Sequence, residues 1–202
     1  MRGYIMNVQY LNALSTTMMH LIDQNQNAFH FANSFRGKQI ESKQWLVNKI
    51  GFSPKNILIL GSWYGTVLPV LLKEKFDVDS IDCVDSDGSV LIGAEIFTEL
   101  MGYDYVKHYT QDAKNYLSVY GVDDYDLVIN TSCEHMPFDM KDVIESGPVY
   151  ALESNNYYGI DGHVNCKDSL AEFEKSTGLS NVFVSEEKDM ENYTRYLVIG
   201  TC

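Results

Sequence analysis

Along the first fifty residues, apolar positions follow a helical rhythm. Ile5, Val8, Leu11, Leu14, Met18, Leu21 and Ile22 recur at three- and four-residue steps, the stripe of an amphipathic helix. The polar break DQNQN at 23–27 ends it, and residues 28–36 are aromatic-rich (Phe29, Phe31, Phe35) and irregular. A second helix is predicted over 39–50, with Ile40, Leu46, Val47 and Ile50 inward and Gly51 and Pro54 closing it. From residue 56 the rhythm changes. NILIL at 56–60 is a short, continuously apolar run ending at Gly61, as in a strand buried on both faces of a parallel sheet. Further strands are predicted at 80–84, 105–109, 125–130 and 147–152, and helices at 66–75, 89–101 and 169–177. Pro69 fits the first of these helices only near its first turn. The runs 181–186 and 193–200 are too close together for a crossover helix, so they pair as an antiparallel hairpin. Alternating strands and helices make this an α/β chain.

The 202 residues carry 15 Lys+Arg against 28 Asp+Glu, a formal net charge of −13. That balance disfavours non-specific binding to nucleic acid or an anionic membrane, both of which need Lys and Arg on phosphate. With 45% apolar residues the composition is globular, and the length fits one domain. The apolar runs are far shorter than the roughly 18 residues of a membrane span, and the N-terminus lacks a signal-peptide pattern. Cys83, Cys133, Cys166 and Cys202 show no C-x-x-C spacing. The expectation is a cytoplasmic protein with reduced thiols, Cys83 serving as a buried small hydrophobe. The oligomeric state is left open.

The chemistry gathers at strand ends. After the first strand comes Gly61-Ser62-Trp63-Tyr64-Gly65, where glycine lets the backbone turn and lets a ligand approach main-chain N–H groups. Twenty residues on, Asp85 ends the second strand, where its carboxylate can accept from both hydroxyls of a ribose. Asp112, beside Ala113, follows the third strand and can accept from an adenine amino group. Trp63 stands where a dinucleotide fingerprint needs its second glycine, which disfavours a pyrophosphate ligand.

In this order and spacing, ILILGSWYG, VDSDGSVLIGAEIF, TQDAKNYL and YDLVINTSCEHM resemble four motifs of the class I S-adenosylmethionine-dependent methyltransferases. The resemblance runs over residues 40–202 and is closest to the small-molecule type. It implies a Rossmann-like, seven-stranded, mostly parallel sheet with a C-terminal antiparallel hairpin and helices on both faces. Residues 51–202 would form the S-adenosylmethionine-binding domain, and residues 1–50 a helical lid or cover. The cofactor would lie against Gly61, Ser62, Trp63, Tyr64, Gly65, Asp85, Ser86, Asp112, Ala113, Asn130 and Thr131.

The expected reaction is methyl transfer to oxygen or nitrogen of a small molecule. His135 is the candidate base because its ordinary pKa lies near neutrality, and Glu134 would orient it. Asn155, Asn156, Tyr157 and His163 would line the acceptor pocket. Glu134, His135 and His163 can also be read as a divalent-metal set. Against the Glu-x-x-Glu-His cluster of some small-RNA and quinone-pathway methyltransferases, however, Thr131 replaces the first Glu, so no metal is expected. Asn130-Thr131-Ser132-Cys133 is not the signature of base-directed amino-methyltransferases, which disfavours DNA as acceptor. Leu60 stands where the family often has an acid. That keeps open a non-catalytic binding or assembly module, beside an enzyme that transfers the aminopropyl group or cleaves the cofactor, and an RNA methyltransferase.

Overall fold

The computed structural model describes residues 7–202, so Ile5 of the first apolar stripe lies outside the described residues. Seven strands form one sheet: β1 (Asn56–Leu60), β2 (Ser80–Asp85), β3 (Val106–Thr110), β4 (Leu127–Asn130), β5 (Val149–Asn155), β6 (Asn181–Asp189) and β7 (Thr194–Thr201). Their order is β3-β2-β1-β4-β5-β7-β6. The first five pair in parallel, while β7 runs antiparallel to both β5 and β6. The doubly wound sheet and terminal hairpin stand as expected. β1 and β4 leave no polar side chain on the sheet faces except Asn56 and Asn130 at their ends, which is why both read as uninterrupted apolar runs.

Among the described residues seven α-helices accompany the sheet: α1 (Val8–Asp23), α2 (Ala28–Asn33), α3 (Gly37–Lys49), α4 (Leu68–Lys75), α5 (Leu91–Met101), α6 (Ala113–Tyr120) and α7 (Leu170–Thr177). Residues from α1 through α5 pack on one sheet face with Ile57, Ile59, Ile81, Ile129 and Leu197. Residues from α6 and α7 pack on the other with Leu58, Leu60, Val84, Val128 and Val198. Pro69 falls in the first turn of α4, where its missing N–H is harmless. Cys83 is buried, and the four cysteines are free.

Two expectations need correction, and one helix is added. The α1 stripe does not face inward as a whole: Val8 is 74% exposed and Ile22 58%, while Tyr10, Ala13, Leu14, Thr17 and Leu21 form the buried face. The aromatic stretch after the polar break is helical, since Asn27 caps α2 by accepting from the His30 N–H and Phe31 anchors it fully buried. The run after Asp112 is the helix α6, one turn of which buries Tyr116 and Leu117.

Candidate functional site

The order β2-β1-β4 makes the boundary between β1 and β4 the point where the winding of the sheet reverses. In an open α/β sheet, ligands settle at the carboxyl edge of that crevice. Gly61 ends β1 at φ +63°, and a Cβ there would sit 2.9 Å from the Ser132 Cβ, so only glycine fits. Ser132 donates from Oγ to the Gly61 carbonyl at 3.2 Å, tying the turn after β1 to the loop after β4. The turn is fixed from the other side by Asp85. Its Oδ2 accepts the Trp63 N–H at 2.7 Å and its Oδ1 the Asp87 N–H at 3.0 Å. Trp63 is held at φ +52°, a left-handed conformation that an L side chain adopts at a cost. Burial raises the Asp85 pKa; the N–H groups of Asp87 and Trp63 and the nearby His135 oppose that rise.

Between this turn and β3 lies a cavity of about 10 Å³, bordered by Ser62, Trp63, Asp85, Asp87, His108 and Thr110. That is room for about one water molecule. Above the turn, α2 supplies a cover: Phe31 meets Tyr64 edge-on at 5.2 Å, and His30 meets Trp63 edge-on at 6.2 Å. Ser34 and Thr66 share a hydrogen bond at 2.8 Å between the same two segments. The cover and the turn are thus packed as one unit.

The other predicted cofactor residues spread along the same edge. Ser86 is exposed beside Asp85. Asp112 caps α6, its Oδ1 accepting the Asn115 N–H at 3.1 Å, and Ala113 is buried beneath it. Asn130 is buried and turns the chain after β4, accepting the Ser132 N–H at 2.9 Å. Thr131 is buried and offers its carbonyl to Arg195 Nη2 at 3.0 Å.

Next to the crevice, residues far apart in sequence converge. Glu134 is 3% exposed, and its Oε1 accepts from Asn155 Nδ2 at 2.6 Å and from Arg195 Nη1 at 2.7 Å. Arg195 Nε also lies 3.3 Å from Glu153, which accepts from the Ser42 hydroxyl at 2.7 Å. Glu134 and Glu153 hold the buried guanidinium firmly protonated, against the effect of burial. Burial, with Arg195 adding repulsion, lowers the Lys43 pKa to about 8. Sequence reasoning missed Ser42, Lys43, Glu153 and Arg195 as members of this group. The available signal was a charge set inside each of two apolar strands, VYALESN and TRYLVIGT. Register places Arg195 directly across from Asn155.

His135 does not touch the Glu134 carboxylate through a hydrogen bond, so Glu134 is not its orienting partner; the expectation is corrected by the Arg195 and Asn155 bonds. The imidazole is oriented by Gly162 instead, whose carbonyl lies 3.1 Å from Nδ1. His163 Nδ1 lies 2.5 Å from the Tyr157 carbonyl, and the two histidine rings meet edge-on at 4.4 Å. Partial burial lowers the His135 pKa, with Glu134 opposing. Of the remaining predicted acceptor residues, Asn156 accepts the Thr194 N–H at 2.8 Å and Tyr157 packs on Tyr193 at 5.5 Å. Asn155 and Asn156 therefore hold strand ends together, while Tyr157 and His163 belong to the wall around His135.

No family model matches the chain, and no curated protein matches it in sequence. Solved structures match in fold. An O-methyltransferase family protein from Burkholderia thailandensis superposes with a TM-score of 0.60 at 12% identity, over 87% of this chain and 59% of that one. This chain thus spans less than two thirds of that protein's length. Geranyl diphosphate methyltransferase in complex with S-adenosylmethionine gives 0.63 at 11% identity, over 81% and 85%. Precorrin-6y C5,15-methyltransferase from Geobacter metallireducens gives 0.53 at 13%, over 80% and 88%. With its strand order, terminal hairpin and glycine turn facing Asp85, the chain has the fold of the class I S-adenosylmethionine-dependent methyltransferases.

Proposed function

We propose that the chain binds S-adenosylmethionine at the carboxyl edge of β2, β1 and β4 and transfers its methyl group to oxygen or nitrogen of a small-molecule acceptor. The observation that carries this reading is the β1–β4 crevice itself. One wall is the Gly61–Gly65 turn, the other the Glu134–His135 loop, and Asp85 lies within electrostatic reach of His135. Asp85 is the ribose acceptor, Asp112 stands at the adenine end, and the glycine turn takes the methionine portion. The sulfonium methyl is already activated, so the protein's task is to hold the acceptor in line with it. His135, with Nε2 unengaged by the Gly162 contact, takes the acceptor's proton. Residues 8–49 act as the cover, because α2 rests on Trp63 and Tyr64. The acidic surface and the absence of a membrane-length apolar helix among the described residues favour a small molecule over nucleic acid or lipid.

Binding requires the Trp63 turn to open, since a cavity of about 10 Å³ cannot admit an adenosine. The same closure favours one second reading, a non-catalytic module that keeps the fold for its surface. Incubation with S-adenosylmethionine and pooled hydroxyl and amine acceptors, followed by analysis of the nucleoside product, tests the reaction. S-adenosylhomocysteine with a product heavier by one methyl group is expected. Methylthioadenosine would instead mark aminopropyl transfer or cleavage, and an unconsumed cofactor would favour the module.

A further inference from the structure

The histidine pair beside the crevice has a second property, independent of methyl transfer. Glu134, His135 and His163 each present one donor atom, and the three atoms lie within 4.8 Å of one another. The hydrogen bonds of each residue leave one donor atom open. The Gly162 and Tyr157 carbonyls can only accept, so each imidazole carries its proton on Nδ1 and its lone pair on Nε2. A ring anchored through Nδ1 to a backbone carbonyl, with Nε2 free, is the arrangement found in metal-ligating histidines. The carboxylate tells the same story. Glu134 Oε1 is saturated by Asn155 and Arg195, whereas Oε2 is buried with no hydrogen-bond partner among the described residues. A buried carboxylate oxygen left unpaired costs free energy, and a cation between it and the two imidazoles removes that cost.

We propose that Glu134 Oε2, His135 Nε2 and His163 Nε2 bind one divalent transition-metal ion of the zinc type. Donors held at about 2.1 Å from an ion stand about 3.4 Å apart in a tetrahedron, so binding would draw the three atoms together from their spread of up to 4.8 Å. Two imidazoles and one carboxylate make a three-ligand set that leaves a coordination position open. Thr131, buried with its carbonyl on Arg195, takes no part, and the set is complete without it. The same donors select the ion. Imidazole nitrogen suits Zn²⁺, Co²⁺ or Fe²⁺, while Mg²⁺ and Ca²⁺ require more oxygen ligands than this site offers. The open position would take an oxygen ligand such as water.

The test is metal binding itself, so its outcome is separate from whether the chain transfers a methyl group. Protein stripped with EDTA and dialysed is titrated with ZnCl₂ by calorimetry and with CoCl₂ by visible absorption. The expected result is one equivalent per chain with micromolar or tighter affinity, visible d–d bands from cobalt, and no heat from millimolar MgCl₂. His135→Ala, on an exposed loop, and His163→Ala should each weaken zinc at least tenfold with an unchanged circular dichroism spectrum. Cys166→Ser should bind as the parent does, although the thiol lies 3.6 Å from His163 Nδ1. Absence of stoichiometric zinc overturns the assignment. So does an affinity that survives both histidine variants, or one that is lost only with Cys166.

Discussion

Arg195 shows how much a single side chain fixes at the strand ends. It pairs with Glu134 at 2.7 Å and Glu153 at 3.3 Å and donates to the Thr131 carbonyl, joining the ends of β4, β5 and β7. Replacing a buried pair by apolar groups is often neutral, but removing one partner leaves the others charged and unsolvated. Arg195→Met should therefore lower unfolding free energy by about 3–5 kcal/mol, measured by urea denaturation. A loss under about 1 kcal/mol would show that the two carboxylates are already satisfied without it. His108 makes a separate prediction about pH. Burial lowers its pKa to about 4, from an ordinary value near 6.5. Between those values the unfolded chain binds the extra proton and the folded chain does not, so stability rises with pH across that window. This contribution is complete above about pH 6.5 and is lost as pH falls toward 4, by up to about 3 kcal/mol. His108→Gln, which keeps a hydrogen-bonding group toward Thr98 Oγ1, should flatten the acid side of a melting-temperature profile. An identical slope in both proteins would assign the acid loss to the carboxylates.

At the scale of elements, the sheet was readable and the helices less so. β1 was found with both ends in place because a strand buried on two faces has no polar residue to blur it. α6 went unread because its eight residues bury only Ala113, Tyr116 and Leu117, too few to set up a period. α1 misled in the opposite way: two apolar faces share one helix, and only packing decides that Tyr10 and Leu14 go in while Val8 and Leu11 stay out. Asp112 illustrates a residue with two claims on it. Its Oδ1 caps α6, so Asp112→Ala should cost about 1 kcal/mol of stability whether or not any ligand is present. A melting temperature unchanged in the ligand-free protein would show that the cap contributes nothing measurable.

For the whole molecule, the four strand-end motifs located the glycine turn, Asp85 and the Glu134–His135 loop from sequence alone. What escaped was everything set by contacts across long separations. Arg195 reaches Glu134 over 61 residues, and Ser42 reaches Glu153 over 111. No local pattern encodes such pairs; a Glu in β5 and an Arg in β7 were the only traces. The closure of the turn was equally invisible, since it depends on α2 resting against Trp63 and on Asp85 accepting two backbone N–H groups. Those N–H bonds leave one lone pair on each Asp85 oxygen. On the proposed reading, a ribose hydroxyl would share the Asp85 carboxylate with these two N–H groups.

Calorimetric titration with S-adenosylmethionine and with S-adenosylhomocysteine, on the parent chain and on Asp85→Ala, decides whether the crevice holds the cofactor. The account predicts micromolar binding of both, weakened in the variant by about 1–3 kcal/mol through loss of charge-assisted hydrogen bonds to the ribose. Absence of heat and of any thermal shift with either ligand would contradict it and leave a closed domain kept for its surface. Equal affinity in parent and variant would remove Asp85 from the site.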